Sequence, residues 1–287
     1  MCRSRHHTVA ISVIAIVGAA TLLPGALAQE PGSPRQASGS ASPEQSHGDP
    51  QALSVGVPVR IQDALVTPFG EVIVQAISTN TYVERHGEGL AAPLLQIFKF
   101  GVAPGLGVNL GITKNLGDSG RAGIVVTPSF QYVFNASRGI IPGVSVEGTY
   151  SPRPGTGQSG GTWGFSGQTT SNLGPTQQSP RLHLNLEWNK TNDQSGQARP
   201  QTFGYGAGLS LLLSDKTALV GDVFYSQTTI RDRSQTFADL GLTHLLGPRF
   251  VVSAGAGAGV DKSTPAFRVF LSISTSFRFL NPSISRP

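Results

Sequence analysis

The sequence predicts an all-β protein, a transmembrane antiparallel up-and-down β-barrel of about 12 strands, and three observations carry that prediction. The stretch from Phe267 to Phe279 alternates almost without a break. Phe267, Val269, Leu271, Ile273, Thr275, Phe277 and Phe279 fall in one set, and Arg268, Phe270, Ser272, Ser274, Ser276 and Arg278 in the other. A period of two sends the sets to opposite faces of a strand, as a wall between lipid and water requires. At the other end of the chain stands an export signal. The whole chain carries 13% charged residues and 36 glycines, with no long apolar run after residue 28. That composition excludes a helical membrane protein and suits a barrel, in which alternation dilutes the apolar residues.

Taken in order, residues 1–28 read as a secretory signal peptide. Arg3 and Arg5 form a basic start, Val9 to Leu23 an apolar stretch, and Ala26-Leu27-Ala28 a small-residue cleavage site. The single cysteine, Cys2, lies inside that leader, so disulfides and thiolate chemistry are not expected in the mature chain. Formal net charge is +5, and loss of Arg3 and Arg5 leaves +3. Charges of both signs are interspersed with no basic stripe, which argues against nucleic acid as a partner. Residues 29–50 are rich in Pro, Ser, Gly and Gln and read as a disordered leader. Residues 51–69 are more apolar but irregular, open to reading as a plug, a periplasmic segment or an extra strand.

The barrel is expected over 70–280. Alternation marks strands at 105–114, 121–135, 141–151, 161–170, 181–190, 202–214, 217–228, 235–246, 249–261 and 266–279. Two earlier ones, 70–84 and 92–102, alternate less regularly. Leu182, Leu184, Leu186 and Trp188 are assigned outward against inward Arg181, His183, Asn185, Glu187 and Asn189. Most of these runs reach the ~9–11 residues that a tilted strand needs to cross a bilayer. With both termini periplasmic, connections after even-numbered strands should be short. Ala103-Pro104, Asp215-Lys216 and Gly247-Pro248 obey, whereas Asn135–Ile140 and Ser171–Pro180 are longer. The same topology places Tyr150, Trp163, Trp188, Phe203, Tyr205 and Tyr225 near the outer rim. It places Phe134, Phe250, Phe277 and Phe279 near the periplasmic rim, giving two aromatic belts. A secreted β-sandwich also alternates, but it has no reason to place rings at both ends of its apolar set.

Chemistry is thinly signalled. Gly155-Thr156-Gly157-Gln158-Ser159-Gly160 matches a dinucleotide-binding pattern, yet Pro152 and Pro154 precede it and no helical period follows, so it reads as a surface loop. His47, His86, His183 and His244 are scattered, and neither a metal nor any other cofactor is expected. Inward Ser145, Glu147, His183 and Glu187 could converge as a catalytic group, but a wet lumen requires polar residues in any case, and no enzyme activity is expected. The candidate pore-lining residues are Glu147, Arg181, His183, Glu187, Asp222, Asp239, Arg268 and Arg278, with Lys99 also inward. Their mixed signs argue against strong ion selectivity. Inward Gly and Ser at 204–210 and 253–259 are expected to leave the lumen open.

Several segments resemble the outer-membrane family named for the meta-pathway of phenol degradation, a family of transporters. They are Leu106-Gly107-Val108-Asn109-Leu110-Gly111-Ile112, Thr127-Pro128-Ser129-Phe130-Gln131-Tyr132, Gly204-Tyr205-Gly206-Ala207-Gly208-Leu209-Ser210-Leu211 and Leu240-Gly241-Leu242-Thr243, together with the closing strand. The resemblance implies a barrel of roughly 12 strands admitting small, often aromatic compounds. The resulting expectation is a bacterial outer-membrane channel for passive diffusion of small solutes, with a non-conducting structural or surface-interaction barrel as the alternative. Expected partners are outer-membrane lipid and lipopolysaccharide, small solutes, and the barrel-assembly machinery through the C-terminal strand; the oligomeric state is open.

Overall fold

In the computed structural model the described residues are 51, 59–82, 93–115, 124–137, 141–152, 161–176, 178–192, 199–230, 233–261 and 264–279. The expected signal peptide and leader, and the glycine-rich loop at 155–160, lie outside them, as do His47 and His86. Twelve strands cross the barrel wall: β1 Glu71–Tyr82, β2 Pro93–Ala103, β3 Leu106–Asn115, β4 Ile124–Asn135, β5 Gly143–Pro152, β6 Gly161–Asn172, β7 Arg181–Thr191, β8 Gln201–Ser214, β9 Thr217–Gln227, β10 Ser234–Leu245, β11 Phe250–Gly259 and β12 Phe267–Arg278. Each strand pairs with its sequence neighbours, and β1 pairs with β12 to close the barrel. The closing seam runs in unbroken antiparallel register from Glu71 opposite Arg278 to Tyr82 opposite Phe267. Closure leaves no edge strand, so backbone N–H and C=O groups at membrane depth find partners in the wall itself.

Alternation dictates which side chains face where. On β7, Arg181, His183 and Asn185 are buried while Leu184 and Leu186 are exposed. On β12, Arg268, Phe270 and Ser272 are buried while Phe267, Val269 and Leu271 are exposed. The exposed apolar set is the lipid face, and rings pair along it near the rim opposite the short turns. Tyr150 and Trp163 have centroids 4.6 Å apart, Tyr205 and Tyr225 5.0 Å, and Phe165 stacks on Trp188 at 5.8 Å. Toward the opposite rim, Tyr132 meets Phe134 edge-on at 5.1 Å. The three register irregularities, at Gly101/Ala103, Val133/Asn135 and Leu212/Ser214, all fall at this second, short-turn end. Bulges collect at barrel rims, where they let pairing end without straining the ladder.

The weak alternation of the first two strands has a physical cause. Ile73 and Ile77 on β1 and Ile97 on β2 point inward, so these strands carry apolar side chains on both faces. Ile77, Ile97 and Phe270 pack together as an apolar patch on the inner wall, with Leu95 against them.

At midwall Leu186 is 67% exposed to the lipid side. Leu186→Arg is predicted to destabilise the barrel by ~2–4 kcal/mol, and Leu186→Ala by far less. Urea titration of the protein folded into vesicles measures both; equal effects would contradict the lipid-facing assignment.

Candidate functional site

The inward side chains of β6 to β12 form one continuous cross-strand row. Thr170 lies opposite His183, His183 opposite Gly208, Gly208 opposite Asp222, Asp222 opposite Asp239, Asp239 opposite Gly257 and Gly257 opposite Arg268. The sequence pattern had picked out four of these as pore-lining. They are not equivalent. Arg268 Nε donates to Asp239 Oδ1 at 2.9 Å and its Nη2 forms a second bond to Oδ2, a two-pronged ion pair buried on both sides. The guanidinium also lies over the inward rings of Phe237, 3.9 Å from the centroid, and Phe270, 4.9 Å. Gly257 is what admits the pair: a Cβ there would stand 1.6 Å from Asp239 Oδ1.

His183 sits between Thr170 Oγ1, 3.1 Å from Nδ1, and Ser210 Oγ, 3.0 Å from Nε2. Thr170 in turn donates to Asp63 Oδ1 at 2.6 Å. The other predicted residues fall elsewhere. Glu147 accepts from Ser129 Oγ at 2.6 Å and from Asn109 Nδ2 at 3.4 Å on the β3–β5 wall. Beside it Ser145 donates to Gln168 Oε1 at 2.7 Å. Ser145, Glu147 and His183 thus each bond to different wall residues, and Glu187 turns to Arg60. Arg181 is buried at the start of β7. Arg278, the last residue of β12, has a side chain 71% exposed and lies 3.9 Å from Glu71, which puts it at the short-turn rim. Lys99 is buried on β2.

Sequence reasoning left residues 51–69 open between a plug, a periplasmic segment and an extra strand, and did not foresee the wall contacts that part of this stretch makes. Residues 59–67 lie against the inward side chains, with Val59, Ile61, Ala64 and Val66 fully or almost fully buried. Their main chain is held by side chains of the wall. Ile61 N–H donates to Asp222 Oδ2 at 2.8 Å, and Ala64 N–H to Thr170 Oγ1 at 3.0 Å. With its amide turned to satisfy both ends, Asn185 pairs with Gln62 as a strand would, accepting from Gln62 N–H at 2.9 Å and donating to Gln62 C=O at 3.0 Å. Arg60 Nη2 meets Glu187 Oε2 at 3.2 Å and its guanidinium lies 4.2 Å from the Phe224 ring centroid. Gln51, also buried, donates to the carbonyls of Ser179 and Ser210, both at 3.3 Å.

The segment then reaches the wall on the far side. Val66 lies 3.5 Å from where a Gly107 Cβ would stand. A Cβ on Gly101 would fall 1.9 Å from the Pro68 carbonyl oxygen, so only glycine admits this crossing. Phe69 pairs with Gly101, Glu71 N–H donates to Pro68 C=O, and Gly70 takes a φ of +77°, turning the chain into β1. One expectation is therefore corrected. The inward glycines at 204–208 do not leave open space: the Phe224 ring and Ile61 crowd the place where a Gly206 Cβ would lie, Asp222 and Ile61 border that of Gly208, and Asp239 fills that of Gly257. The sequence signal for this strip is local: Val59 and Ile61 alternate with Arg60 and Gln62, a strand-like pattern too short to choose among the three readings of 51–69.

A family model described as Putative MetA-pathway of phenol degradation matches residues 65–279. No curated protein sequence matches the chain. Among solved structures, the COG4313 outer membrane channel from Pseudomonas putida F1 superposes with a TM-score of 0.52 at 14% identity, covering 78% of this chain and 100% of that one. The NanC porin also superposes at 0.52, with 9% identity, 71% of this chain and 98% of that one. The fold is that of bacterial outer-membrane barrels.

The ion pair on the wall gives a direct test. Arg268→Met leaves Asp239 buried beside Asp222 without its cation and is predicted to cost ~3–5 kcal/mol, whereas the double change Arg268→Met with Asp239→Leu recovers most of the loss. Equal destabilisation in the single and double variants, read by urea titration, would contradict the pairing.

Proposed function

From the premise that this chain belongs to the family described as Putative MetA-pathway of phenol degradation, we propose that it is an outer-membrane channel for passive diffusion of small solutes. In this reading residues 59–67 act as a plug that narrows the lumen. The observation that carries the proposal is how that segment is held. Its contacts to the β6–β9 wall are side-chain hydrogen bonds, one partly exposed ion pair and apolar packing, with no continuous main-chain ladder. Bonds of that kind are individually worth about 1 kcal/mol net, so an obstruction built from them is removable without unfolding the wall.

Twelve strands also suit the role, lying between filled barrels of ~8 and open porins of ~16–18. The inner wall offers a polar row along β6–β12 beside the apolar patch of Ile77, Ile97 and Phe270. Such a lining accommodates amphipathic solutes, and small aromatic or hydrophobic compounds are the class we favour. Diffusion is passive because the sequence carries no nucleotide-hydrolysis motif. In this account the barrel works without enzyme chemistry and without a cofactor. Its outer aromatic belt lies against lipopolysaccharide, and its C-terminal strand, ending at Arg278 with Phe279 next in the chain, is the element the assembly machinery engages. The alternative, a non-conducting barrel that works through its outer surface, draws support from the occupied lumen.

A reversible tether separates the two. Ile61 Cγ1 stands 3.4 Å from the position of a Gly208 Cβ, within reach of a disulfide between introduced cysteines. In planar bilayers Ile61→Cys with Gly208→Cys is expected to conduct poorly when oxidised and several-fold better after reduction. Equal currents in both states would remove the segment from the conduction path. No current in either state would favour the non-conducting barrel.

A further inference from the structure

Arg60 occupies a place on the wall that has the makings of a cation site. Glu187 on β7 and Phe224 on β9 come together across Gly204 of β8. A Cβ at Gly204 would stand 3.1 Å from two Phe224 ring carbons and 3.3 Å from Glu187 Oε2, so the missing side chain is what lets carboxylate and ring meet. A carboxylate beside an aromatic face is the chemistry that recognises a planar organic cation, one group offering charge and hydrogen bonds, the other its π-face. Arg60 meets both at once. Next along β9, Asp222 is 94% buried, with a relative exposure of 6%, and its Oδ2 takes the Ile61 N–H. Its Oδ1 is buried and takes no N–H among the described residues, and the Asp239 carboxylate stands directly across the β9–β10 pair. That acceptor is unused by the segment and lies on the same inner surface.

We infer that Glu187, Phe224 and Asp222 form a binding subsite for small organic cations bearing an amidinium, guanidinium or ammonium group, and that Arg60 is a tethered occupant that keeps it filled. The inference rests on the proposed plug, since the subsite opens only when residues 59–64 leave the wall. It adds a ligand class to that reading: a cationic solute competes with Arg60 for Glu187 and thereby favours the undocked segment. The segment stays anchored at Pro68–Gly70, where its bonds to Gly101 are made by backbone. By linkage, a ligand that binds only the undocked state shifts the population toward it, and removing the tethered guanidinium strengthens ligand binding by the same factor.

The test is equilibrium binding of benzamidine to the detergent-folded full chain, by calorimetry, with benzoate as the anionic control. Arg60→Ala is expected to bind benzamidine about 10-fold or more tighter than wild type. Adding Glu187→Gln to that variant is expected to remove the gain, and benzoate is expected to bind neither. Equal affinity of Arg60→Ala with and without Glu187→Gln would overturn the inference, as would equal affinity of wild type and Arg60→Ala. Should Arg60→Ala fail to show heat-modifiable mobility, the Ile61→Cys, Gly208→Cys protein serves instead. There benzamidine binding is expected only after reduction, and binding to the oxidised form overturns the subsite. Conduction is not read in any arm. A barrel that binds benzamidine through Glu187 yet passes no current would keep this inference and lose the channel.

Discussion

Closure of β1 on β12 is the constraint on which everything else in this structure depends. A β-sheet in hydrocarbon cannot leave an edge, because each unpaired N–H or C=O there costs several kcal/mol. The seam from Glu71 to Tyr82 removes the last one. Once the sheet is closed, each residue's side is decided by parity, and the inner surface becomes a fixed array of positions. The polar row from Thr170 to Arg268 is a consequence of that array: seven residues on seven strands share a level because the ladder puts them there.

A closed wall also creates an interior that must be filled or wetted. This barrel places residues 59–69 of its own chain against that inner surface. Glycines on β2, β3 and β8 admit the backbone and side chains of residues 59–69, while Asp222, Thr170 and Asn185 supply hydrogen bonds that the segment's main chain would otherwise take from water. The buried ion pair of Arg268 and Asp239 belongs to the wall, and the more exposed pair of Arg60 and Glu187 joins segment to wall. That contrast in burial separates what holds the barrel together from what holds the occupant in place.

The wall was legible in the sequence because its physics is local. Alternation on β7 and β12, short turns such as Asp215-Lys216, and rings such as Tyr205 and Tyr225 at one end of the outward set are all readable within a dozen residues. Inward Phe224, Phe237 and Phe270 blurred that reading, since each adds an apolar side chain to the polar face to pack against an arginine or against Ile77 and Ile97. The pairing of Asp239 with Arg268 and the lodging of Ile61 against Gly206 and Gly208 were not legible. They join positions far apart in the chain, and a glycine looks the same in sequence whether the space it leaves is empty or taken.

The central claim is that residues 59–67 are bound to the inner wall. Hydrogen–deuterium exchange of the folded full-length protein tests it most directly, because the Ile61, Gln62 and Ala64 amides are each bonded to a wall side chain. The account predicts that peptides covering 59–67 exchange far more slowly than an unstructured chain, with opening free energies above zero and below those of strands β6–β9. Exchange in that segment at the rate of an unstructured peptide, with the strands still protected, would contradict it.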